Sequence, residues 1–280
     1  MCEEHTVREP FWMKKLMLLA YGKWVDDTLD YYLFLGRMTR VPLIGRVVHF
    51  FAEQYGKYMH GGRAATADEC IGVLAGARQI AIMDCSCRVK YDNCDKPIRT
   101  CIAINTGAEV LGSLRKEQLV SIEEAVRIVR EAPDHGLIRS ITHCVLPDQY
   151  VICNCCTCCC VPYRLRSEYG IRSAVEDGFY AAQINTGSCL KCGRCLDKCP
   201  QDAIDIDQGT IDAAKCLGCG NCFDNCPHNA IQMVVREDRK PVMLPGRAAR
   251  FLMYTVFLAV ILPLAGGYKL LHTSKGKLSK

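Results

Sequence analysis

The pattern of apolar and polar residues divides the chain into a helical start, a mixed middle, a cysteine-rich segment and an apolar end. Residues 11–59 carry apolar side chains at helical spacing in three stretches, the second capped by Thr28 and the third beginning near Pro42. Tyrosine, tryptophan and lysine at their edges suit a membrane interface or a partner protein, and equally an ordinary core. We predict a helical arm over residues 1–62 that contacts a membrane or a partner.

Residues 63–165 alternate between apolar runs of strand length and amphipathic segments with helix caps, which predicts a small α/β domain. Thr66 with Glu69, and Ser121 with Glu124, have the sequence of a helix-capping box. Strands are predicted at 79–85, 137–145, 149–153 and, beyond this domain, 179–185. The charged stretch 163–177 is predicted to be an exposed linker.

Residues 251–268 form an uncharged run of eighteen residues, and residues 245–280 predict an apolar helix with a basic tail. Such a helix would span about 27 Å, just short of the hydrocarbon core of a bilayer. Pro263 interrupts the run, and a lysine-rich tail on the far side would oppose the positive-inside tendency. We therefore predict a helix that lies in the membrane interface or docks in a membrane subunit, with burial against the N-terminal helices as the alternative.

Composition narrows the class of protein. The 280 residues are 50% hydrophobic, include 21 cysteines and carry a formal net charge of +5. The hydrophobic fraction excludes wholesale disorder, and no basic–aromatic or helix-turn-helix pattern indicates a nucleic-acid partner. The acidic, polar start is not a secretory signal, and so many thiols require a reducing compartment. We predict a cytoplasmic protein at the cytoplasmic face of the membrane, in an anaerobic or low-oxygen cell.

One cysteine pattern occurs twice, at residues 189–204 and 216–231, with ten of sixteen positions identical. Each copy has the spacing C-x2-C-x2-C-x3-C-P, in which the fourth cysteine serves the other cluster. The first predicted [4Fe–4S] ligand set is Cys189, Cys192, Cys195 and Cys226. The second is Cys216, Cys219, Cys222 and Cys199. Zinc and disulfides are the alternatives, but zinc normally takes isolated C-x2-C pairs.

The flanking residues agree with this interpretation. Gly193, Gly218 and Gly220 are expected to let the backbone approach the clusters. Residues 178–236 resemble the bacterial dicluster ferredoxin family, and the match to its motif is complete. That resemblance implies one-electron transfer and an α+β fold with two pseudo-symmetric halves.

Ten further cysteines precede the repeat in two groups. The first group is Cys85, Cys87, Cys94 and Cys101, and the second is Cys153, Cys155, Cys156, Cys158, Cys159 and Cys160. We predict that they hold one or two further iron–sulfur clusters, with structural zinc or a thiol or persulfide site as alternatives. Six cysteines in eight residues cannot all bind one ion, so they would serve two sites or a cluster from both sides of a strand. Residues 80–236 as a whole resemble multi-cluster ferredoxin-like proteins of anaerobes. Cys2 and Cys70 are expected to be free thiols.

The fold class expected is α+β: a dicluster ferredoxin fold preceded by a cysteine-rich α/β domain and a helical arm, and followed by an apolar helix. The leading function is single-electron transfer through at least two [4Fe–4S] clusters, between a flavoprotein or other iron–sulfur protein and a partner at the membrane. The alternative is a reductase whose upstream cluster is catalytic, with His143 as a proton donor. A zinc-stabilised adaptor is a third hypothesis. The sequence does not decide whether the chain is itself an enzyme, and it favours an electron carrier or a subunit of an oxidoreductase complex.

Overall fold

The computed structural model describes residues 11–115, 118–144, 149–237, 239, 246–256, 258–259, 263–264 and 267. Its helices are α1 Phe11–Lys23, α2 Val25–Met38, α3 Gly45–Tyr58, α4 Ala67–Ala75, α5 Ser86–Tyr91, α6 Thr106–Arg115, α7 Ile122–Glu131, α8 Val161–Tyr169, α9 Asn221–Asp224 and α10 Arg247–Val256. Its strands are β1 His60–Ala64, β2 Ile80–Asp84, β3 Arg99–Ile104, β4 Gln118–Leu119, β5 Ile138–Cys144, β6 Gln149–Cys155, β7 Tyr180–Ile184, β8 Ile204–Asp205, β9 Thr210–Ile211 and β10 Ile231–Val235.

A six-stranded sheet forms the middle of the molecule, in the order β1-β5-β6-β3-β2-β4 with every pairing antiparallel. One face buries Leu74 of α4 and Val129 of α7 against Ile102 and Ile152. The opposite face packs against α1 and α6 and carries the upstream thiols. The predicted α/β domain is therefore an antiparallel sheet with a helical layer on each face, an α+β arrangement.

The predicted strands are confirmed, and so are the helix caps predicted at Thr66 and Ser121. Thr66 and Glu69 form the reciprocal capping box at α4, and Ser121 accepts a hydrogen bond from the backbone N–H of Glu124 at α7. The predicted cap at Thr28 is wrong, because α2 already begins at Val25. The Thr28 hydroxyl instead donates to the carbonyl oxygen of Trp24, 2.8 Å away, inside a continuous helix.

Two other segments differ from the sequence prediction. The end of the predicted arm contributes β1, because Gly61 and Gly62 pair with β5 as a sheet edge. Residues 163–177, predicted as an exposed linker, include most of α8 and a short 3-10 turn, Arg172–Ala174, and they bury Tyr163 and Leu165. The prediction was wrong because the many charged residues suggested full exposure, although the segment is amphipathic. Arg166 pairs with Asp177 at 2.6 Å, while the apolar side chains pack into the core.

The ferredoxin half contains two small antiparallel pairs, β7 with β10 and β8 with β9. The loops that follow β7 and β9 carry the two cysteine runs, so both runs lie over one shared core that includes Ala182 and Ile231.

The C-terminal helix is shorter than the apolar run in the sequence. α10 covers Arg247–Val256, and Tyr254 is buried against the core around α1 and α6. The rest of the predicted apolar segment and basic tail lies largely outside the described residues. No helix within the described part of the chain has both the length and the apolar character needed to cross a bilayer.

Candidate metal centres

The structure assembles the eight ferredoxin cysteines into the two sets that the spacing predicts. The thiols of Cys189, Cys192, Cys195 and Cys226 line one small cavity, together with Ile184, Ala230 and Ile231. The thiols of Cys199, Cys216, Cys219 and Cys222 line a second cavity, together with Ala203, Ile204 and Gly220. The two cavities are related by the sequence repeat, since each is closed by an Ala-Ile pair from the end of one copy.

Backbone donors support the crossover cysteine of each set. The N–H of Ala203 donates to the sulfur of Cys199, and the N–H of Ala230 donates to the sulfur of Cys226, both at 3.3 Å. Such bonds stabilise thiolates and tune the metal that they hold. Burial, with the neighbouring Cys219, Cys216 and Cys199 adding to its effect, raises the pKa of the Cys222 thiol, as expected for ligands that are stable as thiolates only when metal is bound. Four thiols in an apolar cavity with N–H donors fit a [4Fe–4S] cluster.

The three predicted glycines all have positive φ, at +77° for Gly193, +74° for Gly218 and +76° for Gly220. Gly218 also packs closely against β7, where an added Cβ would lie 2.1 Å from the carbonyl oxygen of Tyr180. Glycine is therefore required at position 218 both for the close approach of the two backbones and for the turn.

The ten upstream cysteines regroup in the fold. Cys94 lies with Cys156, Cys158 and Cys159 of the second group rather than with the other cysteines of its own group. The four sulfur atoms are all within 4.8 Å of one another. The sulfur of Cys94 lies 3.8 Å from that of Cys156 and 3.7 Å from that of Cys159. We call these four residues the four-thiol site. They connect the loop before β3 to the loop before α8.

The other six upstream cysteines form a second site, which we call the six-thiol ring: Cys85, Cys101, Cys153, Cys155, Cys160 and Cys87. All six line one cavity of about 120 Å³. Among the described residues, only the four-thiol site brings its sulfur atoms all within 4.8 Å of one another. The ring thiols therefore surround a space larger than a single ion.

Strand alternation explains how the ring forms. Ile102 pairs with Ile152, so Cys101 and Cys153 are neighbours on the same face of β3 and β6, and Cys155 follows two residues later on that face. Cys85 ends the β2 strand region and Cys160 precedes the first residue of α8. The sheet supplies one side of the cavity and the two helix starts supply the other.

Interactions between neighbouring ring thiols make their pKa values alternate around the cavity. Bonds from Cys101 and Cys87 lower the pKa of Cys85 to about 2, and bonds from Cys155 and Cys87 lower the pKa of Cys160 to about 6. Bonds from Cys101 and Cys155 likewise lower the pKa of Cys153. The three intervening thiols, Cys101, Cys155 and Cys87, have raised pKa values because they donate these bonds. The ring thus stabilises several thiolates, the form that binds metal.

Arg88 supplies positive charge beside both upstream sites. Its side chain is 2% exposed and donates to the carbonyl oxygen of Asn154 at 2.9 Å. Burial opposes its charged form, but negative charge on the ring cysteines, Cys85 foremost, outweighs burial and raises the pKa of Arg88. A buried cation is stable only beside compensating negative charge, so Arg88 indicates an anionic centre in the ring.

The six-thiol ring contacts the second ferredoxin set. Cys155 and Cys160 share one apolar core with Leu217 and Cys219, and Tyr163 is buried among them. The Tyr163 hydroxyl lies 3.0 Å from Oγ of Ser140. The ring and the set that contains Cys219 therefore border one buried core.

Arg139 of β5 fixes the same junction from the other face of the sheet. Its guanidinium is fully buried, donates to the carbonyl oxygen of Cys219 at 2.9 Å and pairs with Asp224. It also lowers the pKa of Cys219, although burial dominates and raises that pKa to about 11.

An apolar cavity of about 630 Å³ adjoins the ring. It lies between α2, α3 and α10, and its wall includes Leu35, Phe51 and Leu252. Tyr32, His60, Pro162 and Ala174 line both this cavity and the ring cavity, so the two are neighbours. Nε2 of His60 lies 3.1 Å from the Tyr150 hydroxyl.

The hypothesis that His143 donates protons at the upstream cluster is not supported by its position. His143 pairs with Gly61 across β5 and β1 and is absent from the walls of both cavities. Burial lowers its pKa to about 4, so the imidazole is neutral near neutral pH. Burial likewise lowers the pKa of His60 to about 3. His60, which faces the ring, was missed because a lone histidine before two glycines carries no recognisable motif.

The isolated Cys70 is a buried free thiol, as predicted, and burial raises its pKa to about 12. The eighteen other cysteines whose side chains the structure describes are also free thiols rather than disulfides. Cys2 lies outside the described residues.

Residues 182–233 match the 4Fe-4S dicluster domain family. The match confirms the dicluster ferredoxin-like domain and leaves the resemblance to multi-cluster proteins of anaerobes as a prediction. A search of curated proteins found no match, and a search of solved structures found none. The chain is an iron–sulfur protein with sites for two or more clusters.

Proposed function

We propose that this protein passes single electrons between redox partners, through its two ferredoxin sites and a further iron–sulfur centre in the six-thiol ring. When bound, such clusters supply one-electron redox chemistry that needs no proton transfer. The observation that carries the proposal is the shared core in which Cys155 and Cys160 of the ring pack with Leu217 and Cys219. An added thiol site that shares a buried core with a ferredoxin site extends the electron path of the ferredoxin half.

The opposite end of this path reaches the surface. Cys192 of the first ferredoxin set is exposed, beside Leu190, which is 69% exposed. The sulfur of the second set is more enclosed, since Cys216, Cys219 and Cys222 are all buried. A soluble flavoprotein or iron–sulfur partner would therefore dock at Cys192 and Leu190.

A reductive titration without oxygen tests the proposal. Each [4Fe–4S] centre accepts one electron, so the protein should take up at least about three electrons per chain. Cys155→Ala, which removes a ring thiol, should reduce the uptake to about two. Cys192→Ala should remove one ferredoxin cluster, about four iron per chain, and leave the upstream centre in place. An uptake of two electrons by the unaltered protein, unchanged in Cys155→Ala, would contradict the role of the ring.

We also propose that the protein works at the cytoplasmic face of a membrane. Phe51 of α3 and Leu252 of α10 line the same apolar cavity and are 64% and 62% exposed. Phe50 and Phe251 on these two helices are also exposed. Clustered apolar side chains of this size on a surface indicate contact with a membrane or a membrane subunit.

A second function is favoured by one observation, the apolar cavity that adjoins the ring. In this alternative the protein is a reductase, and the ring centre delivers electrons to an apolar substrate in that cavity. Addition of a lipophilic quinone analogue to the reduced protein distinguishes the two functions. Rapid reoxidation that Cys155→Ala abolishes supports the reductase, while reoxidation that needs only the ferredoxin sites supports an electron carrier.

A further inference from the structure

We propose that the four-thiol site binds a single zinc ion, separate from every iron–sulfur centre of the protein. Cys94, Cys156, Cys158 and Cys159 would be its four ligands. The zinc site does not depend on the proposed electron-transfer function, because a zinc ion bound to protein does not change its oxidation state.

The distances between the sulfur atoms indicate one ion. Zinc binds thiolates at about 2.3 Å, and four such ligands in a tetrahedron lie about 3.8 Å apart. The sulfur atoms of Cys94 and Cys156 are 3.8 Å apart, and those of Cys158 and Cys159 are 3.9 Å apart. No pair among the four exceeds 4.8 Å.

The same distances disfavour a cluster. In a cubane each thiolate extends outward from a different iron atom, so its four thiolate sulfur atoms lie farther apart than four thiolates that share one ion. In a two-iron cluster the two thiolate pairs are separated by the iron pair. A closed tetrahedron of four thiolates without an open position is typical of structural zinc.

Hydrogen bonds from Asn93 hold two of the four cysteines in place, as expected for the ligands of a structural metal ion. The backbone N–H of Asn93 donates to the sulfur of Cys159 at 3.3 Å, and its side-chain amide donates to the carbonyl oxygen of Cys158 at 3.0 Å. These bonds join the two loops that supply the ligands. Second-layer hydrogen bonds of this kind orient metal ligands.

The zinc ion would also position the ring. Cys155 and Cys156 are consecutive, and so are Cys159 and Cys160, with one member of each pair in the ring and the other in the four-thiol site. Fixing Cys156 and Cys159 on one ion therefore directs Cys155 and Cys160 to the opposite side of the loop, into the ring cavity.

The test uses the full-length holoprotein, purified without oxygen. Zinc and iron are measured per chain, and X-ray absorption at the zinc edge reports the ligands of zinc without interference from iron. The expected result is about one zinc per chain with four sulfur ligands at about 2.3 Å. Cys158→Ala should lose that zinc and keep the iron of the two ferredoxin sites, about eight per chain. The matched variant Cys155→Ala should lose iron and keep its zinc, and Cys70→Ala, at a buried thiol outside both sites, should change neither.

Two results would overturn the proposal. One is a protein without zinc whose iron content falls by about four in Cys158→Ala, which would make the site a cubane. The other is zinc with fewer than four sulfur ligands. The absorption spectrum of the unaltered protein decides the question even where Cys158→Ala fails to fold.

Discussion

Arg139 shows how a single side chain joins the sheet to the ferredoxin half. Its buried guanidinium donates through Nη2 to the carbonyl oxygen of Cys219 and the amide oxygen of Asn221, and it pairs with the carboxylate of Asp224. A buried charge left without its partner is costly, so both halves of the protein depend on this residue.

Replacement of Arg139 by glutamine should therefore destabilise the protein by about 3 kcal/mol, since Asp224 and the carbonyl oxygen of Cys219 lose their donor. Urea unfolding without oxygen measures this change, and the clusters should also be lost at lower urea. Arg127→Gln is the control, because Arg127 pairs with Glu131 on the exposed surface of α7 and should cost about 0.5 kcal/mol or less. Equal effects of the two variants would refute the structural role of Arg139.

The two half-buried histidines, His60 and His143, give the stability a defined pH dependence. The pKa of His143 is lowered to about 4 and that of His60 to about 3, in both cases mainly by burial. A histidine in the unfolded chain binds its proton near pH 6.5, so acidification favours unfolding. Stability is complete above that pH and falls as the pH drops toward the folded-state values.

Between pH 7 and pH 5 each histidine should cost about 2 kcal/mol of stability. His143→Gln, which stays neutral, should reduce the loss between these two pH values by about that amount. Parallel urea unfolding at both pH values measures the difference. An unchanged loss in the variant would show that His143 is not buried in its neutral form.

At the scale of residues, the sequence was enough to predict the functional residues that belong to a motif, and it missed the functional residues that belong to none. The spacing of the repeat was enough to assign Cys226 and Cys199 to opposite sets. Arg88 could have been identified from the sequence, because it directly follows a C-x-C pair. Arg139 and Tyr163 could not, because they acquire their roles only through contacts across the fold. Sequence patterns report local geometry, and these contacts are not local.

At the scale of elements, glycines at positive φ decide whether the cysteine loops can form. Gly218 has a φ of +74°, and its Cα hydrogen faces the carbonyl oxygen of Tyr180 on β7. Gly72 is the opposite case, since it lies inside α4 and an added Cβ would meet nothing within 4 Å.

Gly218→Ala should cost at least about 2 kcal/mol through backbone strain and the clash with Tyr180, and it should labilise the second ferredoxin cluster. Gly72→Ala should stabilise the protein by about 0.5–1 kcal/mol, because alanine is the better helix former. Unfolding midpoints and visible absorbance of the clusters measure both effects. A tolerated alanine at position 218 would mean that the loop approaches β7 less closely.

The sequence predicted the strands and caps of the middle domain but not how the strands pair. An apolar run such as 79–85 identifies a strand but does not show which strand it pairs with. Only the pairing of Ile102 with Ile152 places Cys101 beside Cys153. The ten upstream cysteines were therefore grouped by position in the chain. Their division into a four-thiol site and a six-thiol ring needs the register of the sheet and the turn before α8.

At the scale of the whole molecule, the apolar surface of α3 and α10 should decide membrane association. The double variant Phe51→Glu with Leu252→Glu should weaken binding to anionic lipid vesicles at least about tenfold, because two apolar side chains no longer enter the interface. Leu119→Glu is the control, since Leu119 is 61% exposed on β4 and lies outside that surface. Cosedimentation with vesicles measures binding, and equal binding of all three proteins would contradict a membrane role for these helices.

The central claim is that the upstream cysteines add a redox centre to a dicluster ferredoxin. The most direct measurement is the content of iron and acid-labile sulfide per chain in protein purified without oxygen. We expect more than about eight iron and eight sulfide per chain, with the excess lost in Cys155→Ala. About eight iron and eight sulfide per chain, unchanged in that variant, would confine the clusters to the ferredoxin half and contradict the account.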